Sequence, residues 1–67
     1  MTKEEAKNSL EQGKVLTHLY FEKYEWVKKN ASGKYEFEDG ATIDPDLFWK
    51  DRQSDGWDDE WSLYIAN

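Results

Sequence analysis

Sixty-seven residues limit this chain to one small domain, and such a chain buries only roughly 60% of its unfolded surface. It has no cysteine and one histidine, which excludes disulfides and thiolate metal sites and leaves self-association as the compensation most open to a marginal core. The net charge of −6 is uneven: seven lysines against five acids give residues 1–34 a net +2, while Lys50 and Arg52 against ten acids give residues 35–67 a net −8, a balance that does not invite duplex nucleic acid.

Thr2 followed by Glu5 is a capping box and predicts a helix from about residue 3, with Ala6 and Leu10 on one face and Gly13 as its stop. The helix is thin in apolar residues, so it is expected to cover a sheet. The run KVLTHLYF (14–21) is β-branched and aromatic and predicts a strand. Val15, Thr17, Leu19 and Phe21 line one side of it; Leu16, His18 and Tyr20 line the other. A strand apolar on both faces is expected to be covered on both, by the helix and by another subunit.

YEWVKK (24–29) and KYEFE (34–38), separated by NASG, predict a β-hairpin with a four-residue loop. Tyr24 and Trp26 share a face, as do Tyr35 and Phe37. Glu38-Asp39-Gly40 ends the third strand in a turn. Asp44 as N-cap with Pro45 at the first helical position predicts a short helix over 45–52. EWSLYI (60–65) alternates Trp61, Leu63 and Ile65 against Ser62 and Tyr64 and predicts a last strand. The expected fold is α+β, in the order α-β-β-β-α-β, with a small antiparallel sheet of about four strands. No run approaches the ~18 apolar residues of a membrane span, and MTKEEAKNSL lacks an apolar signal core, so no membrane association and a cytoplasmic location are expected.

Catalytic chemistry has little support. His18 has no serine or acid beside it in a recognisable arrangement, and a residue of this type on a strand is a packing or interface residue before it is a general base. Asp51, Gln53, Asp55, Gly56 and Asp59 partly imitate a calcium loop. The twelfth position, however, is Ser62 where a bidentate glutamate belongs, and the eighth is Asp58 where an apolar residue is usual. Asp58-Asp59-Glu60 reads as a solvated acidic turn. Trp49 and Arg52 are three apart on the predicted helix and share a face, where an indole and a guanidinium would either pair with each other or hold a planar ring and a phosphate. Trp57 follows Gly56 in a loop and must fold back on the sheet or meet a partner. No catalytic constellation, metal site or cofactor motif is present, and the expectation is a binding protein rather than an enzyme.

Several segments in order carry a resemblance: EEAKNSLEQGKVLTHLYF, EW, YEFEDG, FWKDR and the tryptophan-containing WSLY. Together they resemble very small phage-encoded anti-defence proteins in which a first helix ends in Gly-Lys. A strand with H-x-Y-F, then E-D-G, F-W-x-x-R and a last strand bearing tryptophan follow. The most specific pieces are His18-Leu19-Tyr20-Phe21, Glu38-Asp39-Gly40 and Phe48-Trp49 with Arg52. The chain is similar in this to anti-CBASS sponges, which sequester cyclic dinucleotide signals inside a homo-oligomer, and more distantly to Thoeris-blocking sponges, which capture cyclic ADP-ribose signals.

The resemblance implies stoichiometric capture without catalysis, in the cytoplasm of an infected bacterial host, by a homo-oligomer of even number with sites between subunits. On this reading His18, Tyr20, Trp49 and Trp57 contact bases and Arg52 meets a phosphate, with Lys14 or Lys28 as further cations. The alternative is an acidic protein-binding inhibitor or DNA mimic that presents the carboxylates of residues 36–60 to a basic host protein.

Overall fold

The computed structural model describes residues 1–65. It is α+β: helix α1 (Lys3–Glu11), strands β1 (Leu16–His18), β2 (Val27–Lys29), β3 (Tyr35–Phe37) and β4 (Thr42–Ile43), helix α2 (Pro45–Lys50), a 3-10 turn (Asp55–Trp57) and strand β5 (Trp61–Leu63). The strands form one antiparallel sheet in the order β4-β3-β2-β1-β5. The sheet therefore has one strand more than expected, because Thr42–Ile43 adds a two-residue edge beside Tyr35–Phe37.

α1 begins at the expected capping box. Thr2 Oγ1 accepts from the Glu5 N–H at 3.2 Å, and Glu5 Oε1 accepts from the Thr2 N–H at 2.8 Å. The bond from the Thr2 N–H, helped by the Thr2 side chain, favours the ionised Glu5 carboxyl and holds its pKa below the usual 4.5. Ala6 and Leu10 are fully buried against the sheet, as their spacing predicts.

Strand β1 is shorter than the run 14–21 because the chain turns immediately after His18. The Tyr20 N–H donates to His18 Nδ1 at 3.0 Å and the Phe21 N–H to the His18 carbonyl at 2.9 Å, so both leave the ladder. Phe21 thereby comes to the same side as His18, its ring centroid 6.2 Å from the imidazole. The hairpin closes one residue tighter than expected: Asn30 N–H donates to the Lys34 carbonyl, and Gly33 sits at φ +82°.

From β4 the chain must cross the whole sheet to add β5 beside β1, and α2 with the 3-10 turn makes that crossing. Its apolar side chains complete the layer begun by α1. Phe48 is fully buried, with its ring 5.1 Å from Tyr35, 6.0 Å from Phe37 and 6.2 Å from Trp61. Leu16, Val27, Tyr35 and Trp61 supply the sheet's side of the core. Val27 pairs with Phe37 and Leu16 with Leu63, which sets this inner face. The opposite face carries Thr17, Ser62, Lys28, Glu36 and Thr42, and among the described residues no helix or strand covers it. The second cover expected for β1 is absent from the single chain.

Glu60, immediately before β5, is the one non-glycine among the described residues with positive φ, at 71°. A left-handed backbone costs an ordinary residue about 1–2 kcal/mol, and glycine gives back about 0.5–1 of that through its unfolded-state entropy. Glu60→Gly is expected to leave stability unchanged or raise it by up to about 1 kcal/mol in urea unfolding; a clear loss would mean that the Glu60 side chain makes a stabilising contact. Thr2→Ala is expected to cost about 1 kcal/mol. Because the folded pKa of Glu5 is depressed, the contribution of the box is complete above the unfolded value and is lost as pH falls through the folded one. Glu5→Ala, which removes that carboxyl, should therefore cost less in acid than at neutral pH, measured as the difference in unfolding midpoint between variant and parent at the two pH values.

Candidate functional site

The segment that crosses the sheet, residues 44–60, brings four of the five candidate residues together. His18 is 4% exposed, its ring centroid 4.3 Å from Trp57, 4.6 Å from Trp61 and 5.0 Å from Tyr20. Its nitrogens are both engaged. Nδ1 accepts from the Tyr20 N–H, so the ring proton is assigned to Nε2, which donates to the Asp59 carbonyl at 2.8 Å and lies 3.1 Å from the Gly56 carbonyl. The imidazole thus ties β1 to the acidic turn and has no free nitrogen for a ligand or a substrate proton.

Trp57 stands over this ring and is anchored through its backbone: its N–H donates to the Ser54 carbonyl at 3.0 Å and its carbonyl accepts from Trp61 Nε1 at 2.9 Å. It folds back on the sheet in the 3-10 turn. Tyr20 packs edge-on to Trp57 at 5.0 Å yet stays 60% exposed. Its hydroxyl end lies across Gly56, where a Cβ would overlap the phenol. A side chain at position 56 would have to push that exposed phenol aside.

Arg52 does not pair with Trp49. The helix ends at Lys50, so Arg52 turns back over the residue four earlier: Cζ stands 3.9 Å from the Phe48 ring centroid and 5.1 Å from that of Trp57, and Nη1 donates to the Phe48 carbonyl at 3.1 Å. Its Nε is buried with no partner, and among the described residues no carboxylate forms an ion pair with it. Burial pushes the guanidinium's pKa down, against the weaker opposing pull of Asp51 and Glu25.

Trp49 lies on the other side of Phe48. Nε1 donates to the Tyr35 hydroxyl at 3.0 Å, its ring is 5.2 Å from Trp61, and the Lys7 ammonium sits 5.4 Å above it. Burial raises the pKa of Tyr35, so the neutral phenol is the form the fold selects. Of the five candidates, then, His18 and Trp49 are committed to packing, while Tyr20, Arg52 and the edge of Trp57 form a partly open corner.

A second group of side chains lies on the uncovered sheet face. Tyr24 is 65% exposed, Trp26 and Tyr64 are half-buried with ring centroids 6.5 Å apart, and the Lys28 ammonium stands 5.5 Å over Trp26. Lys23, Tyr24, Tyr64 and Ile65 line a groove of about 380 Å³. The alternation 24-26-28 was readable in the sequence, but not that nothing would cover it.

Among the described residues no three histidine, aspartate or glutamate side chains converge as a metal site, and no helix is long and apolar enough to cross a membrane. No family model, curated protein or solved structure matches the chain.

His18→Phe keeps a ring in the aromatic stack and removes both nitrogens. It is expected to cost about 1–3 kcal/mol, because the Tyr20 N–H and the Asp59 carbonyl lose their partner. Chemical denaturation measures this, and a neutral substitution would mean that the ring serves by shape alone.

Proposed function

We propose that this protein is a non-catalytic sponge that captures a cyclic dinucleotide or a related nucleotide signal, acting as an even-numbered homo-oligomer in the cytoplasm of a phage-infected bacterium. The resemblance in the ordered motifs supplies the ligand class. The observation that carries the reading structurally is Arg52. In a chain with fifteen acids and a single arginine, that guanidinium forms no ion pair among the described residues. Its Cζ lies 3.9 Å from the Phe48 ring centroid and 5.1 Å from that of Trp57, with Nε unpartnered.

A phosphate there would accept charge-assisted hydrogen bonds from a group that has already lost part of its hydration. The exposed Tyr20 ring beside Trp57 offers a stacking surface for a base, and such contacts are worth roughly 1–3 kcal/mol each. His18 serves this corner by positioning it: it fixes the turn that holds Trp57. Capture needs no nucleophile, and no free general base stands here. Sharing ligand contacts between copies would also supply the stabilising association that so small a core invites.

The test is a thermal-shift panel of cyclic dinucleotides and cyclic ADP-ribose isomers, with recovery of the ligand after heat denaturation. A large shift with intact release is expected, together with scattering that gives an even-numbered oligomer. Arg52→Gln should weaken capture by about 10- to 100-fold, the worth of one or two charge-assisted hydrogen bonds. Absence of any shift would remove the sponge reading in favour of the acidic inhibitor. Loss of folding in Arg52→Gln would make the arginine structural.

A further inference from the structure

We propose a second ligand surface on the uncovered face of the sheet, built from Lys23, Tyr24, Trp26, Lys28 and Tyr64 and fitted to a planar aromatic anion of mononucleotide size. It lies on the opposite side of the sheet from Arg52 and does not rest on the reading given to that residue.

Three observations converge. The first is surface chemistry. Two tyrosines and a tryptophan gather on one open face, although a chain of this size needs its large rings for the core. Trp26 and Tyr64 stand side by side, and Val15 between their strands accepts the Tyr64 N–H at 2.9 Å, so the backbone beneath the rings is pinned by the ladder. An aromatic shelf on a rigid sheet stacks a nucleobase without reading its edges.

The second is charge. Lys23 and Lys28 form no ion pair among the described residues, whereas Lys3, Lys7, Lys29 and Lys34 each do. Lys28 is held above Trp26, and Lys23 lines the groove with Tyr24 and Tyr64. Glu36 stands across the strand pair from Lys28 on this face, and its carboxylate also accepts from Asn30 Nδ2 at 3.4 Å, so Lys23 at the groove is the cation farther from that acid.

The third is size. A groove of about 380 Å³ is at the small end of ligand sites, enough for one base with its sugar. The net charge of −6 works against long polyanions more than against a small one. At physiological salt, fields fade over about 8 Å, so a single phosphate senses the two lysines, while a longer polyanion also meets the acidic remainder.

The test uses the whole protein and adenosine monophosphate as the probe, by calorimetry and by quenching of Trp26 fluorescence, with Trp26→Phe identifying the emitting residue. Saturable binding is expected. It should weaken about tenfold in Tyr64→Ala and in Lys23→Gln/Lys28→Gln, and it should also weaken as salt rises. The charge-matched control Lys34→Gln/Lys50→Gln should bind as the parent does. The lysine pair is on the surface, so it decides the matter if Tyr64→Ala fails to fold. The proposal is overturned by non-saturable binding, by equal affinity in the lysine pair and its control, or by a single-stranded oligonucleotide that binds this face more tightly than the mononucleotide. It is also overturned if Tyr64→Ala converts an oligomer to monomers without altering ligand affinity. Failure of adenosine monophosphate to bind, while cyclic dinucleotides still give thermal shifts that disappear in Arg52→Gln, would remove this surface and leave the sponge reading intact.

Discussion

One imidazole holds the two halves of this structure together. After β4 the chain lies at one edge of the sheet, yet its last strand must be added at the other, and the segment that makes the passage has little regular structure of its own. A backbone of that kind needs partners for its polar groups wherever it is buried. His18 supplies them from the end of β1: Nε2–H reaches the Asp59 and Gly56 carbonyls while Nδ1 takes the Tyr20 N–H. The Trp61 indole does the same for the Trp57 carbonyl. Around these bonds Phe21 packs edge to face on Trp61, a geometry that adds to simple burial, and Trp57 lies tilted against both.

The passage also explains the distribution of charge and rings. Because it runs over the inner face, its aromatics turn inward and its acids, from Asp51 to Glu60, turn to solvent. The single arginine is left between two rings with no acid paired to it. The other face of the sheet receives no crossing segment and keeps its rings and two of its lysines open. The molecule therefore has an acidic side with one cationic corner and an open side that carries Tyr24, Trp26, Lys28 and Tyr64.

Much of this was legible in the residues. Thr2 with Glu5, and Asp44 before Pro45, mark the two helix starts because they satisfy or omit backbone donors locally, and local chemistry survives in sequence. Ala6 and Leu10 as the buried face of α1 follow from helical spacing, whereas which of Phe48 and Trp49 is fully buried was not legible, because the two point apart on a helix whose packing side is set by the crossing. The edge strand Thr42–Ile43 was not legible, since two residues show no alternation. Nor was the end of β1, because the alternation of 14–21 continues past His18 while the hydrogen bonds do not. Arg52 was expected beside Trp49 on a helix that in fact stops at Lys50. One lost residue pair of helix was enough to move the guanidinium onto Phe48 and Trp57. Tyr24 and Trp26 were seen to share a face, but whether that face is covered depends on the strand order, which no local pattern encodes.

The account depends on His18 being a structural tie whose nitrogens are both used. Because the chain has only one histidine, the long-range proton–nitrogen NMR spectrum of the imidazole reports on it without overlap. The expected result is a proton on Nε2 that exchanges slowly with water and a bare, accepting Nδ1. A proton on Nδ1, or a rapidly exchanging ring free to reorient, would contradict the claim that this side chain fastens the crossing segment to the sheet.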